Sequence, residues 1–296
     1  DILYSDEDQI DSDGRRYNPF FKPDWSEELL LGQNFVNHLC VYRTSIIKEL
    51  GGFRVGYEGS QDYDLFLRAV SLIKPDRVRH IPKILYHWRQ VANGGTFSNK
   101  YLDLCVLNAR KSILDYLKAK GLENARVVPS KFVPSWNRVV LPLPERQPKV
   151  SIIIPTRDSI DILRVCLTGL MYRTDYDNME IIIADNDSVK PETQEYFKTI
   201  QADKRVKIVK VPIPFNYSRI NNIAEKQACG EVLVFLNNDT DIMDPDWLKE
   251  MVTLALKPDV GCVGAKLFYG DNTIQHAGVA LGIGSFEGGS GIAGHY

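Results

Sequence analysis

The sequence predicts an α/β protein whose main sheet is mostly parallel and covered on both faces. Three observations carry that expectation. From Lys149 onward, short β-branched runs alternate with segments of helical period, the pattern of strand–helix–strand crossovers. Two of the strand-like runs, Ile152–Ile154 and Ile181–Ala184, are continuously apolar, as strands buried on both sides should be. Apolar residues make up 44 % of the 296 residues and charged residues 25 %, the balance of a chain able to bury a core.

The elements follow in order. Leu3–Asp8 reads as an apolar strand running into acidic residues. Ser60 is placed to cap a helix carrying Leu65, Phe66, Ala69, Val70 and Ile73 on one side, and a longer helix is expected from about Ser98 to Gly121. Residues 129–148 hold five prolines and no clean period, and read as a linker or an extended crossing segment. It separates a first region, 1–128, from a second, 149–296. In the second region Val150–Ile154 is a strand expected to stop at Pro155. Ser159 caps a helix bearing Ile162, Leu163, Cys166, Leu167 and Leu170. Glu180–Ala184 and Val206–Val211 are further strands. Ser218 opens a helix closed by Gly230, and Glu231–Leu236 is a fourth strand. Six glycines between Gly282 and Gly294 mark a mobile loop.

Composition narrows the function. With 36 basic and 38 acidic side chains, the chain lacks the basic excess of a protein that grips nucleic acid. Its five cysteines are scattered without a Cys-x-x-Cys pair, which favours reduced thiols in a cytoplasmic setting over disulfides or a zinc cluster. The longest apolar runs are strand-sized, far short of the ~20 residues that span a bilayer, and no basic-then-apolar leader precedes them. Residue 1 is an Asp in mid-pattern, so the chain reads as cut at its start.

Ligands of open parallel sheets bind beyond the carboxyl ends of the strands. Here Thr156 and Asp158 follow the first strand, Asp185 and Asp187 the second, and Asn238, Asp239 and Asp241 the fourth. Any one of these equally suits a turn or a helix cap. Several acidic strand ends on one rim, however, repel each other without a cation or hydrogen-bond donors among them. Asp-x-Asp suits Mg²⁺ or Mn²⁺, which keeps waters and takes phosphate oxygens, so a diphosphate is its natural partner. No P-loop is present and no Gly-x-Gly-x-x-Gly follows the first strand, which counts against the ATPase and dinucleotide readings. Leu3–Asp8 and Leu236–Asp241 both run into Asp-x-Asp, and Asp6 and Asp8 precede Asp239 and Asp241 by the same 233 residues. That echo suggests two copies of one domain.

Val150–Asp158 (VSIIIPTRD), Ile181–Ser188 (IIIADNDS), Phe215–Asn222 (FNYSRINN) and Phe235–Asp241 (FLNNDTD) resemble the nucleotide-binding half of an inverting family 2 glycosyltransferase of GT-A fold. Gly264–Val279 (GAKLFYGDNTIQHAGV) is similar to the segment that follows in bacterial O-antigen and rhamnan-type enzymes. Tyr4–Asp8 (YSDED), Lys22–Ser26 (KPDWS), Gly59–Leu65 (GSQDYDL) and His80–Arg89 (HIPKILYHWR) resemble the acceptor and catalytic half. The halves stand in the reverse of their order in a single domain. The resemblance therefore implies a window across a tandem enzyme, with a circularly permuted domain as the alternative.

By this resemblance Thr156, Asp158 and Asp185 hold the base and ribose of a UDP- or dTDP-linked sugar, since an Asp facing a pyrimidine accepts from its ring N–H. Asn222, expected on the first turn of its helix, and Asn238 stand near the diphosphate. Asp239 and Asp241 carry Mg²⁺ or Mn²⁺ in the second copy, and Asp6 and Asp8 in the first. Asp62 is the general base that takes the proton of the acceptor hydroxyl, with Glu58 as its rival. His87 and Arg89 make metal-side or phosphate-side contacts, and Trp25 is a sugar-stacking platform or a core residue. The acceptor is a glycan or a lipid-linked glycan, the latter implying peripheral contact with the inner face of the cell membrane. A binding module without turnover and a sugar nucleotidyltransferase are the competing readings. The latter wants a Gly-rich basic loop where Pro155–Asp158 stands.

Overall fold

The computed structural model describes residues 1–90, 100–283 and 292–295. They divide into two compact units, Asp1–Pro142 and Leu143–Tyr296.

The first unit runs β1 (Ile2–Ile10), β2 (Arg16–Phe20), α1 (Glu27–Gly32), β3 (Cys40–Tyr42), α2 (Thr44–Glu49), α3 (Gln61–Val70), β4 (Val78–Arg89), α4 (Leu102–Ala119), β5 (Arg126–Pro129) and β6 (Asn137–Val140). β4 pairs in parallel along β1, while β3 and β2 pair antiparallel with the beginning and end of β1. Asp6 and Asp8 therefore lie inside a central strand, each about 3 % exposed, rather than in a loop beyond its end. Ile2 and Tyr4 of β1 join Tyr63, Phe66 and Leu67 of α3 and Ile113 and Leu117 of α4 in one core.

Ser60 does occupy the N-cap of α3, but its hydroxyl donates to the Cys105 carbonyl at 2.7 Å instead of capping. Acidic residues at Asp62 and Asp64 complement that helix start. α4 closes at Lys120, and Gly121 takes the left-handed φ of +79° that turns the chain away. The expected start of this helix near Ser98 falls outside the described residues.

Residues 129–148 are not simply a tether. β5 and β6 form an antiparallel hairpin in which Val127 faces Val139, and Val127, Val139 and Leu141 pack on the core of the first unit. Pro129 closes a strand and the Pro134 carbonyl accepts from Arg110 at 2.6 Å. The prolines thus shape a turn, and the division between units falls after Pro142.

The second unit runs β7 (Val150–Thr156), α5 (Ile160–Tyr172), β8 (Met179–Asp185), α6 (Pro191–Ile200), β9 (Val206–Lys210), α7 (Tyr217–Glu225), β10 (Val232–Phe235) and α8 (Trp247–Ala255). Two short strand pairs follow: β11 (Leu267–Phe268) with β12 (Ile274–His276), and β13 (Val279–Ile283) with β14 (Ile292–His295). The main sheet has the order β10-β7-β8-β9 and is entirely parallel. Alternate residues explain the continuous apolar runs. Val150, Ile152, Ile154, Ile181 and Ile183 pack on α5, α6 and α8, while Ile153, Ile182 and Ala184 pack on Ile220 and Ala224 of α7. Both faces of the sheet are covered, as the sequence predicts.

Several boundaries differ. β7 continues through Pro155 to Thr156. Asn216, not Ser218, caps α7, accepting from the Arg219 amide at 2.9 Å. α7 ends at Glu225, well before Gly230, which serves another purpose: a Cβ there would lie 2.6 Å from the Ser151 nitrogen and 2.8 Å from the Lys149 oxygen. Ser159 stands at the N-cap of α5, but its hydroxyl donates to the Arg157 carbonyl. Of the glycine-rich stretch, residues 284–291 lie outside the described residues. Among the described residues no helix is long and apolar enough to cross a membrane.

Candidate active site

In the second unit, parallel register brings the predicted residues together. Thr156 and Asp185 are direct partners at the ends of β7 and β8. Asn238, just past β10, donates through Nδ2 to Thr156 Oγ1 at 2.9 Å. Asp185 is fully buried; it accepts from the Ser188 amide at 2.9 Å and pairs with Lys210 Nζ. The Ser188 hydroxyl in turn accepts from the Asp158 amide at 3.0 Å. The Asp158 carboxylate accepts from the Val189 and Lys190 amides, at 3.0 and 2.9 Å. Burial pushes the Asp158 carboxyl upward, but these amides outweigh it and hold it below the usual carboxylate range.

The repulsion expected among acidic strand ends is thus relieved by backbone N–H groups and one lysine. Asp158 accepts from the 186–190 loop with its carboxylate, whereas Asp185 divides its oxygens between the Ser188 amide and Lys210. Lys210 was not singled out from the sequence, although it ends β9 in register with Asp185. Asn222 lies on the second turn of α7 rather than the first, and is exposed. Asp239 is exposed, makes no hydrogen bond or ion pair among the described residues, and borders a hollow of about 290 Å³ with Asp161 and Thr240. Asp241 forms a surface ion pair with Arg173.

In the first unit, Asp6 Oδ1 accepts from the Lys22 amide at 2.9 Å and meets His80 Nε2 at 2.7 Å. Asp8 has both oxygens engaged, by His87 Nδ1 at 2.5 Å and by Arg16 Nε at 2.6 Å. Burial raises the Asp8 carboxyl, and these two partners more than reverse it, leaving it lowered. Arg89 is exposed at the end of β4, beside Ile10 in register.

Asp62, on the first turn of α3, lines a separate cleft of about 750 Å³, within the ~300–1,000 Å³ typical of small-molecule sites. Its Oδ2 accepts from Asn34 Nδ2 at 2.9 Å. Glu58 borders the same cleft and accepts from the Gly56 amide, which holds its carboxyl below the usual range. Asp64 points elsewhere: it is 1 % exposed and clamped by Arg54 and Arg68. Trp25 is not among the residues lining the cleft; its ring packs 5.7 Å from Phe66 beside the core. The tryptophans that do line it are Trp88 and Trp136. Trp88 follows from alternation along β4, because it points opposite to His87. Trp136 was hidden by the linker reading.

Among the described residues, no three or more His, Cys, Asp or Glu side chains gather as a ready metal cage. The Asp239–Asp241 pair fits an ion held by one or two carboxylates and otherwise by water and phosphate. At Asp8 an ion would have to displace Arg16 and convert His87 from hydrogen-bond partner to ligand.

Residues 151–282 match the Glycosyl transferase family 2 model. The matched segment contains the whole β7–β8–β10 rim, with Thr156, Asp158, Asp185, Asn238, Asp239 and Asp241, and leaves the Asp62 cleft outside. Two relatives match almost the full chain. An uncharacterized protein, y4gI, of Sinorhizobium fredii is 42 % identical over 99 % of this chain and 32 % of its own length. The O-antigen biosynthesis protein RfbC of Myxococcus xanthus is 39 % identical over 97 % of this chain and 22 % of its own. The chain therefore spans a third or less of these relatives. Among solved structures, the mannosyltransferase PcManGT of Pyrobaculum calidifontis, in complex with GDP-Man and Mn²⁺, is 25 % identical over 41 % of this chain and 36 % of that one, with a TM-score of 0.37. S. aureus TarS 1–349 is 24 % identical over 36 % of this chain and 32 % of that one, with a TM-score of 0.33. Both scores are too low for either structure to describe this chain.

Proposed function

We propose that the chain is part of a glycosyltransferase that moves a sugar from a nucleotide-diphosphate donor to a glycan hydroxyl in bacterial surface polysaccharide synthesis. The match of residues 151–282 to family 2 carries this reading, supported by the linked rim of Thr156, Asp158, Asp185 and Asn238. In it the second unit is the donor half of one domain and the first unit the acceptor and catalytic half of another. The 233-residue echo of Asp-x-Asp favours that tandem arrangement.

Asp158 and Asp185 fix the 186–190 loop and Thr156, and through them the seat of a UDP- or dTDP-linked donor. Asn222 and Asn238 stand toward its diphosphate. Mg²⁺ or Mn²⁺ at Asp239 and Asp241 would neutralise charge on the leaving diphosphate; Asp6, Asp8 and His87 are the corresponding residues of the first unit, with Arg89 beside them for phosphate. In the Asp62 cleft, the carboxylate takes the proton of the acceptor hydroxyl as its oxygen bonds to the anomeric carbon. The bond from that carbon to the diphosphate oxygen breaks, its electron pair leaves with the diphosphate, and the centre is inverted.

Isothermal titration of the chain with UDP or dTDP and Mn²⁺ tests the donor half. Binding that weakens in Asp239→Ala is expected. No heat with the wild type, or unchanged binding in the variant, counts against the reading.

A further inference from the structure

We propose that Trp136, together with Trp88, forms a binding subsite for a neutral saccharide in the Asp62 cleft, and that Trp136 sets which glycan is accepted. The inference rests on reading Asp62 as the residue that faces the acceptor. Both tryptophans line the same cleft as Asp62, although they come from β4 and from the β5–β6 hairpin. A tryptophan offers a flat apolar body with a polar edge. A pyranose offers the complement, with a face of C–H bonds rimmed by hydroxyls.

Two further observations narrow the ligand. Trp136 is 47 % exposed, a large cost for an indole with no role in the core. Yet it is rigidly presented. Its amide donates to the Val133 carbonyl at 2.8 Å, its carbonyl accepts from Ser130 at 3.0 Å, and Arg110 ties the hairpin at Pro134 and Asn137. A platform held in place before binding loses little freedom on binding.

The charge of the cleft then chooses the sugar. Among the described residues Asp62 accepts from the Asn34 amide and Glu58 from the Gly56 N–H, with Lys111 acting on Glu58 from outside the cleft lining. The guanidinium in the wall, that of Arg54, is committed to Asp64 and Asp115. Two carboxylates in the wall repel phosphates and uronates, so a neutral glycan is favoured over a nucleotide or an acidic polysaccharide.

The test uses the full chain on a printed array of neutral and acidic bacterial polysaccharide fragments, with Trp136→Ala and Trp136→Leu beside the wild type. UDP titration with Mn²⁺ is run on the same preparations. Expected are wild-type capture of neutral fragments, a loss of tenfold or more in Trp136→Ala, and little rescue by Trp136→Leu, which keeps apolar bulk but no flat ring. UDP binding should be the same in all three, and urea unfolding followed by the first unit's own signal should show that the unit holding Trp136 stays folded in both variants. Capture of acidic fragments only, equal capture by Trp136→Ala, or no capture while UDP still binds would overturn the subsite alone. If the wild type binds neither glycans nor UDP, the glycosyltransferase reading falls with it.

Discussion

Asn34 Nδ2 donates to Asp62 Oδ2 at 2.9 Å, while Asn34 Oδ1 is buried without a hydrogen-bond partner among the described residues. The amide is committed to the carboxylate at the expense of its own oxygen. A buried orphan of that kind costs about 1–3 kcal/mol. Asn34→Leu, which removes it, is therefore expected to be neutral or stabilising in urea unfolding, while transfer falls because Asp62 is no longer held. Asp62→Asn should abolish transfer more completely, by about 10²–10⁴-fold. A transfer rate in Asn34→Leu equal to wild type would refute the positioning role.

Asp64 lies two residues from Asp62 on the same helix and has a different task. It is clamped by Arg54 and by Arg68, whose guanidinium also donates to the Leu50 and Gly52 carbonyls. Replacing it with Ala leaves Arg68 with the Leu50 and Gly52 carbonyls and Arg54 with Asp115, at a cost of about 1–3 kcal/mol. Chemical denaturation should register that loss. A midpoint unchanged from wild type would mean that the clamp is replaceable by water.

The rim of the second unit should respond to acid. The folded Asp158 carboxyl is lowered relative to its free value, so its contribution is fully present above the unfolded pKa of about 4. That contribution is lost as pH falls through the folded value. Amide exchange at Val189 and Lys190 should accelerate, relative to the intrinsic rates, as pH drops below about 4. In Asp158→Asn the same amides should lack this pH dependence.

Gly230 sits where strand and chain touch. An added Cβ would meet the Ser151 hydroxyl and, more seriously, backbone atoms of Ser151 and Lys149 that cannot swing away. Gly230→Ala should destabilise the second unit by about 1–3 kcal/mol, read as a lower melting temperature. Gly261→Ala, where a Cβ meets nothing within 4 Å, is the control.

The second unit was legible in the sequence because its strands are buried on both faces. Ile152–Ile154 and Ile181–Ala184 carry that burial as apolar runs, and a covered parallel sheet admits few other arrangements. The rim residues were legible as a set for the same reason, since register places strand ends side by side. What could not be read was the assignment of hydrogen bonds: Asp158 and Asp185 look equally free or engaged until the 186–190 loop is in place. The first unit was harder. Its central strand buries Asp6 and Asp8 against partners as distant as His80 and His87, and no local pattern announces such pairings. The proline-rich stretch misled because proline count reports backbone stiffness without saying whether the stiff segment docks.

That docking has a practical side. Cutting the chain at residue 128, where composition invites the cut, would sever the hairpin within β5 and discard β6, Asn137 and Trp136. The remaining piece would expose the greasy underside that Val139 and Leu141 had shielded, and it would tend to clump. Excision after Pro142 retains the shield and keeps the wall around Asp62 whole.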